Sequence, residues 1–226
     1  MGQAISEVLP FAIGVAISPL PIIAVILVLF SARAKVNGPA FLVGWLVGVA
    51  AVSIIVYAVA DAGDASDSTS SASDSAYWIK LGLGVVLVVL AVRNWRADRA
   101  STEPAPQPRW MASIDSLTPV KAAGLAVVLS AVNPKNLALA VAAGAGLAQL
   151  GLSGAEAAVG LIVFILVASS SIAVTVIFYL VGGQRAAHVL DGWKSWLSAH
   201  NGAVMAVLFL VFGVVLFSEG LRGLTA

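Results

Sequence analysis

Six apolar runs, each close to the length a helix needs to cross a bilayer, take up most of this 226-residue chain. A crossing needs about 20 predominantly apolar residues, and the runs fall at 5–31, 39–60, 76–94, 119–148, 155–181 and 202–221. With 60% hydrophobic and 10% charged residues and a mean hydropathy of +1.02, the composition lies far from that of a soluble domain. In hydrocarbon, backbone polar groups must be satisfied internally, so runs of this length imply helices. The expected class is an all-α integral membrane protein.

The third run is interrupted by Lys80, which lies one turn inside an end and is expected to snorkel to the headgroups. Tyr77, Trp78 and Trp95 bracket that run as interfacial aromatics. Residues 1–7 hold Glu7 and no base, and the apolar stretch continues past a signal-peptide core, so the first run is read as a mature span. Orientation follows from the bases. Arg33, Lys35, Arg93, Arg96, Arg99, Arg109, Lys121, Arg185 and Lys194, nine of twelve, fall on one face. The positive-inside rule makes that face cytoplasmic and both termini extracytoplasmic. Asp61 to Ser75, acidic and serine-rich, then reads as a disordered external loop, since it lacks the glycine and closing glutamate of a calcium loop.

Asn133-Pro134-Lys135-Asn136 stands out inside the fourth run. Proline removes a helix hydrogen bond, and a charge at bilayer depth costs at least ~3 kcal/mol. Lys135 is roughly fifteen residues from either end of its run, about 20 Å along a helix, which is too far to snorkel. It must meet a carboxylate, a carbonyl cluster, water or a ligand. A binding site for an anion and a structural ion pair are the two readings, and Glu7, Glu156 and Glu219 lie too near the span ends to serve easily.

The first half carries an uncharged counterpart. A shift of 115 residues sets Ser18-Pro19-Leu20-Pro21 against Asn133-Pro134-Lys135-Asn136, and Gly84-Val85-Val86-Leu87 echoes Gly213-Val214-Val215-Leu216 in order. Three spans per copy is an odd number, so the copies would enter the membrane from opposite sides. The expected architecture is six transmembrane helices in two inverted three-helix repeats, with broken first and fourth helices. Residues 1–95 and 119–226 would be the repeats and 96–118 a cytoplasmic linker, stiffened by Pro104, Pro106 and Pro108. Free amides at the breaks would favour an anion. Proline kinks without any transport role are the alternative.

The candidate substrate-binding residues are Lys135, Asn133, Asn136, Ser18, Pro19, Pro21, Pro134, Ser170 and Thr175. Ser169 and Ser171 extend the last pair into a polar patch, and Ser53 with Tyr57 forms another; such hydroxyls also simply bond helices together. Gly44 and Gly48 read as a small-residue packing pair. Val189, Trp193, Trp196 and Leu197 recur at helical spacing, so Gln184 to Ala199 is either a helix along the inner leaflet or a polar loop with two tryptophan anchors.

No catalytic constellation appears. The chain has no cysteine, its two histidines, His188 and His200, lack metal-ligand spacing, and Gly144 and Gly146 lack the ending of a phosphate loop. No enzyme activity, cofactor, metal or nucleic-acid partner is expected.

The Ser-Pro-x-Pro of the first span, Trp110-Met111 followed by Thr118-Pro119-Val120-Lys121, and Asn-Pro-Lys-Asn in the fourth span together resemble the GAP-like family of sulfolipid-1-addressing and glycopeptidolipid-addressing proteins. More distantly, Asn-Pro-Lys and the proline-bearing first span resemble the LysE exporter superfamily. The resemblance implies export of a lipid or lipid-linked substrate from the cytoplasmic (inner) membrane of a bacterium. Its partners would be that anionic lipid, the bilayer, and a homo-oligomer or lipid synthesis and export machinery. A LysE-like exporter of an amino acid or other small solute, and a non-transporting scaffold for a lipid complex, are the other readings.

Overall fold

The structure, a computed structural model, describes residues 1–66, 71–100 and 117–225, with side chains at 1–62, 77–97 and 117–225. The elements are helices α1 (Gly2–Ala16), α2 (Pro19–Leu29), α3 (Ala34–Ser66), α4 (Ser71–Ala100), α5 (Pro119–Ala131), α6 (Pro134–Gln149), α7 (Gly154–Ala199) and α8 (Asn201–Thr225). Among the described residues, α3, α4, α7 and α8 each contain a stretch long and apolar enough to cross a bilayer, while α1 with α2 and α5 with α6 qualify only as bent pairs. The chain is thus an all-α protein whose long apolar helices fit a multi-pass membrane fold.

Both bent pairs are broken by the same local chemistry. Pro19 and Pro134 have no N–H to extend the preceding helix, and each instead opens a new one, where the missing donor costs nothing. Pre-proline sterics hold the residue before each in extended backbone: Ser18 at φ −69°, ψ 116° and Asn133 at φ −63°, ψ 117°. The resulting bends are 52° and 62°.

Packing treats the halves alike. α1 lies along α7 as α5 lies along α3, α2 meets α7 as α6 meets α3, and α4 pairs with α8. Gly44 and Gly48 of α3 face Ala123 and Ser130 of α5, so those helices run parallel; Glu7 beside Gly146 and Gly14 beside Leu139 make α1 antiparallel to α6. The two Gly-Val-Val-Leu segments meet each other, with Gly84 against the backbone of Gly213 and Phe217 and with Leu87 and Leu216 buried.

Three expectations change. Asp61 to Ser75 is not loop at its ends, because α3 continues through Asp61 to Ser66 and α4 begins at Ser71; those residues include no proline to stop a helix. Residues 67–70 lie outside the described residues. α4 likewise persists to Ala100, past the expected start of the linker at Arg96, whose prolines and Arg109-Trp110-Met111 also lie outside the described residues.

The third change concerns Lys80, which does not snorkel. It is 5% exposed, with Nζ 3.1 Å from Glu219 and 3.5 Å from Glu7. The cluster joins α1, α4 and α8 at one end of the bundle, where two carboxylates converge on a cation buried by close packing of Gly220 against Tyr77 and Leu81. The opposite end carries Arg33, Lys35, Lys121 and Arg185.

Gln184 to Ala199 is helical, so the tryptophans ride a helix and not a loop. α7 bends at Gly183, whose φ of 52° and ψ of −127° suit glycine alone. Beyond it the helix doubles back, burying Ala186 and Leu190 and stacking Trp193 on Phe178 at 6.2 Å. Lys194 reaches over the Phe30 ring at 5.3 Å and donates to Asp191 at 2.6 Å. That hydrogen bond, with the lysine's charge, holds the Asp191 carboxyl below the usual carboxylate range.

Two predictions follow from packing. Gly44→Leu should drive a side chain into the Ala123 backbone and cost about 1–3 kcal/mol, lowering the thermal transition in detergent. Gly82→Leu, at a glycine with open space where a Cβ would sit, should leave the transition unchanged. Lys80→Met should cost about 2–4 kcal/mol, somewhat less than a fully buried ion pair because both carboxylates keep partial exposure, whereas Glu7→Gln should cost less. The thermal transitions of the two variants measure this order.

Candidate functional site

The first break leaves a carbonyl without a donor. In an unbroken helix the Gly14 carbonyl would accept from the amide of Ser18. Here Ser18 turns its N–H to Val15 at 3.1 Å, and Pro19 has none to give. Lys135, in the first turn of α6, fills the vacancy: its Nζ donates to the Gly14 carbonyl at 2.6 Å, and its side chain is fully buried. The partner of Lys135 is therefore a backbone oxygen and not a carboxylate. Such a bond is charge-assisted, and it sets the ammonium at the negative end of α1. An ammonium has three donors, and the Gly14 carbonyl takes one.

Around this bond the break residues divide into satisfied and unsatisfied. Asn133 caps α6, its Oδ1 accepting from the Lys135 amide at 3.1 Å. Asn136 donates Nδ2 to the Leu129 carbonyl at 3.4 Å, a carbonyl freed by the second break. The Ser18 hydroxyl makes no cap on α2 and is buried without a partner in the protein, as is Oδ1 of Asn136. α2 opens Pro19-Leu20-Pro21, so only Leu20 of its first three residues has an amide. Backbone attraction for an anion is correspondingly weaker at α2 than the sequence suggests. Pro19 and Pro21 are buried and shape the start of α2, while Pro134 is exposed.

The structure does not gather all nine candidate residues into one cavity. Asn133 and Pro134 line a groove of about 440 Å³ with Leu20, Asn94, Asn201 and Phe209. Val128 and Val132, also in its wall, are 53% and 66% exposed, so the groove opens sideways on the apolar surface. Ser170 and Thr175 line a different cavity of about 410 Å³ with Ile22 and Trp193. Leu20 faces the first and Ile22 the second, so α2 forms the partition. Lys135 borders neither. The hydroxyls of Ser170 and Thr175 bond back to Val167 and Ser171 of their own helix, each at 2.7 Å.

Asn94 and Asn201 were missed because each sits at the edge of an apolar run, where an amide looks interfacial. Oδ1 of Asn201 is buried without a partner, while Asn94 donates to Leu90 at 2.9 Å. Asn37 was also missed. It is fully buried and bonds Ser31 at 3.1 Å and the Leu117 carbonyl at 3.0 Å, tying the start of α3 to the approach of α5. Its lone carboxamide ahead of Gly38-Pro39 was the available signal. Among the described residues no group of three acidic or histidine side chains could hold a metal ion.

Comparison with known proteins agrees with this picture at the level of the family. No curated protein and no solved structure matches the chain. The family model described as Sap, sulfolipid-1-addressing protein, matches residues 8–222, which takes in both breaks, Lys80 with Glu219, and the bent α7. The chain belongs to the sulfolipid-1-addressing protein family.

Proposed function

We propose that this protein exports an anionic envelope lipid, a glycolipid or polyprenyl-linked lipid, across the cytoplasmic membrane, in the manner of a flippase. The headgroup binds at the paired breaks. In this reading the bent pairs and α3, α4, α7 and α8 make six spans in two inverted repeats, residues 1–95 and 119–226, joined by the linker at 96–118. The antiparallel run of α1 against α6 and the matched packing of the halves support the inversion. The basic end is cytoplasmic.

One observation carries the site: a fully buried lysine spends one donor on the Gly14 carbonyl, and the break residues Ser18 and Asn136 each keep a buried oxygen without a partner. Each buried group left unpaired costs about 1–3 kcal/mol. A sulfate, phosphate or carboxylate with neighbouring hydroxyls would accept from Lys135 and donate to the two oxygens. The sideways groove beside Asn133 supports a lipid over a free solute, because acyl chains could stay in the bilayer while the headgroup enters past Asn94 and Asn201. Rocking of one repeat against the other would then expose the breaks alternately to the two faces.

Lys135→Met should abolish appearance of the lipid at the cell surface, while the variant still inserts and folds with a thermal transition lowered by the lost cap. Untargeted comparison of surface lipids between wild-type and variant cells is the measurement; normal surface lipid from Lys135→Met would sink the reading. Orientation is checked separately. The chain has no cysteine, so a single cysteine replacing Gly2 or Thr225 should react with a membrane-impermeant maleimide in intact spheroplasts, and one replacing Lys35 should not.

A further inference from the structure

We infer that Trp196 is a wedge that divides the two chains of a lipid drawn from the leaflet at the basic end of the bundle. Two separate cavities share this one side chain as a wall. The first, about 410 Å³, runs between α7 and the doubled-back helix and is lined by Ser170, Val174 and Trp193 besides Trp196. The second, about 320 Å³, fills the corner between that helix and α8 and is lined by His200 and Val207 besides the same Trp196. His200 stacks on Trp196 at 4.8 Å with the rings 22° apart and bonds the Trp196 carbonyl at 2.8 Å, which fixes the wedge where helix turns into helix.

Lining and access select the occupant. The first cavity meets α7 between Ser170 and Thr175, thirteen and eight residues before the bend at Gly183, about 20 and 12 Å along a helix, so it lies well short of that bend. Val174 and Val207 are 57% and 54% exposed on the outward faces of apolar spans, so both cavities are reached from the hydrocarbon of the bilayer and not from water. Their walls are apolar apart from a few hydroxyls and one imidazole, as acyl chains require. Two slots on either side of one wedge match a lipid with two chains. His200 borders the second cavity, while Lys194 is held by Asp191 over the Phe30 ring. The inference rests on the reading of this protein as a lipid handler, and it adds where the lipid is first held, on the other side of α2 from the groove at Asn133.

Purified protein offered equimolar phosphatidylglycerol and its single-chain lyso form, read by native mass spectrometry, provides the test. The wild-type chain should retain one two-chain lipid with a preference of about tenfold over the lyso form. Val174→Trp and Val207→Trp each fill one cavity from an outward position that folding does not depend on, and an unchanged thermal transition verifies this. Each should lose retention of phosphatidylglycerol about tenfold while holding the lyso form at the wild-type level. Retention of phosphatidylglycerol unchanged in either variant, or parallel loss of both lipids, overturns the wedge. The readout is binding and needs no export, so its failure leaves the site at the paired breaks standing, and failure of Lys135→Met to affect export leaves the wedge standing.

Discussion

A hydrogen bond of 2.6 Å between the Lys135 ammonium and the Gly14 carbonyl joins the two halves of this protein at their weakest points. Each break would be costly alone. Pro19 strips α1 of a donor and leaves a bare carbonyl, while α6 brings a cation into a dry interior. Brought together, each defect is the other's remedy, because the cation caps the carbonyl and the negative end of α1 stabilises the cation. The antiparallel packing of α1 on α6 depends on this exchange, with Glu7 held beside Gly146 at the far end of the same contact. The corresponding contact of α5 with α2 is slight, and α2 carries no charge to offer. The likeness in packing between the α1–α2 and α5–α6 pairs therefore ends where the charge sits.

Close approach at glycines and a second charged cluster complete the packing. Gly44, Gly48, Gly84 and Gly213 let backbones approach closely where lipid gives no hydrophobic drive for association. The Lys80 cluster clamps α1, α4 and α8 at one end, and the cavities along α2 and α8 take in no residue of that cluster. The sulfolipid-1-addressing family to which the chain belongs ties it to lipid by its description, and the proposed headgroup site beside the groove at Asn133 would give that tie a location.

Much of the fold was legible because membrane physics leaves few choices. Apolar length fixes spans, and proline inside a span fixes a break, so the two bent pairs follow from Pro19 and Pro134 directly. The cost of Lys135 was legible too, but its partner was not. Search for a partner naturally runs over side chains, whereas Gly14 offers a backbone oxygen that exists as an acceptor only because Pro19 breaks the helix five residues later. Lys80 was misread for a related reason: its position near a span end suggested water, but Glu7 and Glu219 are remote in sequence and close only once α1, α4 and α8 pack. Ser170 and Thr175 were grouped with the break residues as candidates, but they line a different cavity from Asn133 and Pro134, with α2 between the two, a separation that hydropathy does not encode.

The bond between the halves is best tested by the vibration of the Gly14 carbonyl itself. A chain assembled with a ¹³C=¹⁸O label at Gly14 isolates that amide I band in the infrared. A carbonyl accepting from an ammonium should absorb at low frequency in the wild-type protein and move to higher frequency in Lys135→Met, with the band of a label at Ala12 unchanged. An identical Gly14 band in the two proteins would contradict the account, since Lys135 would then not be the group that closes the break.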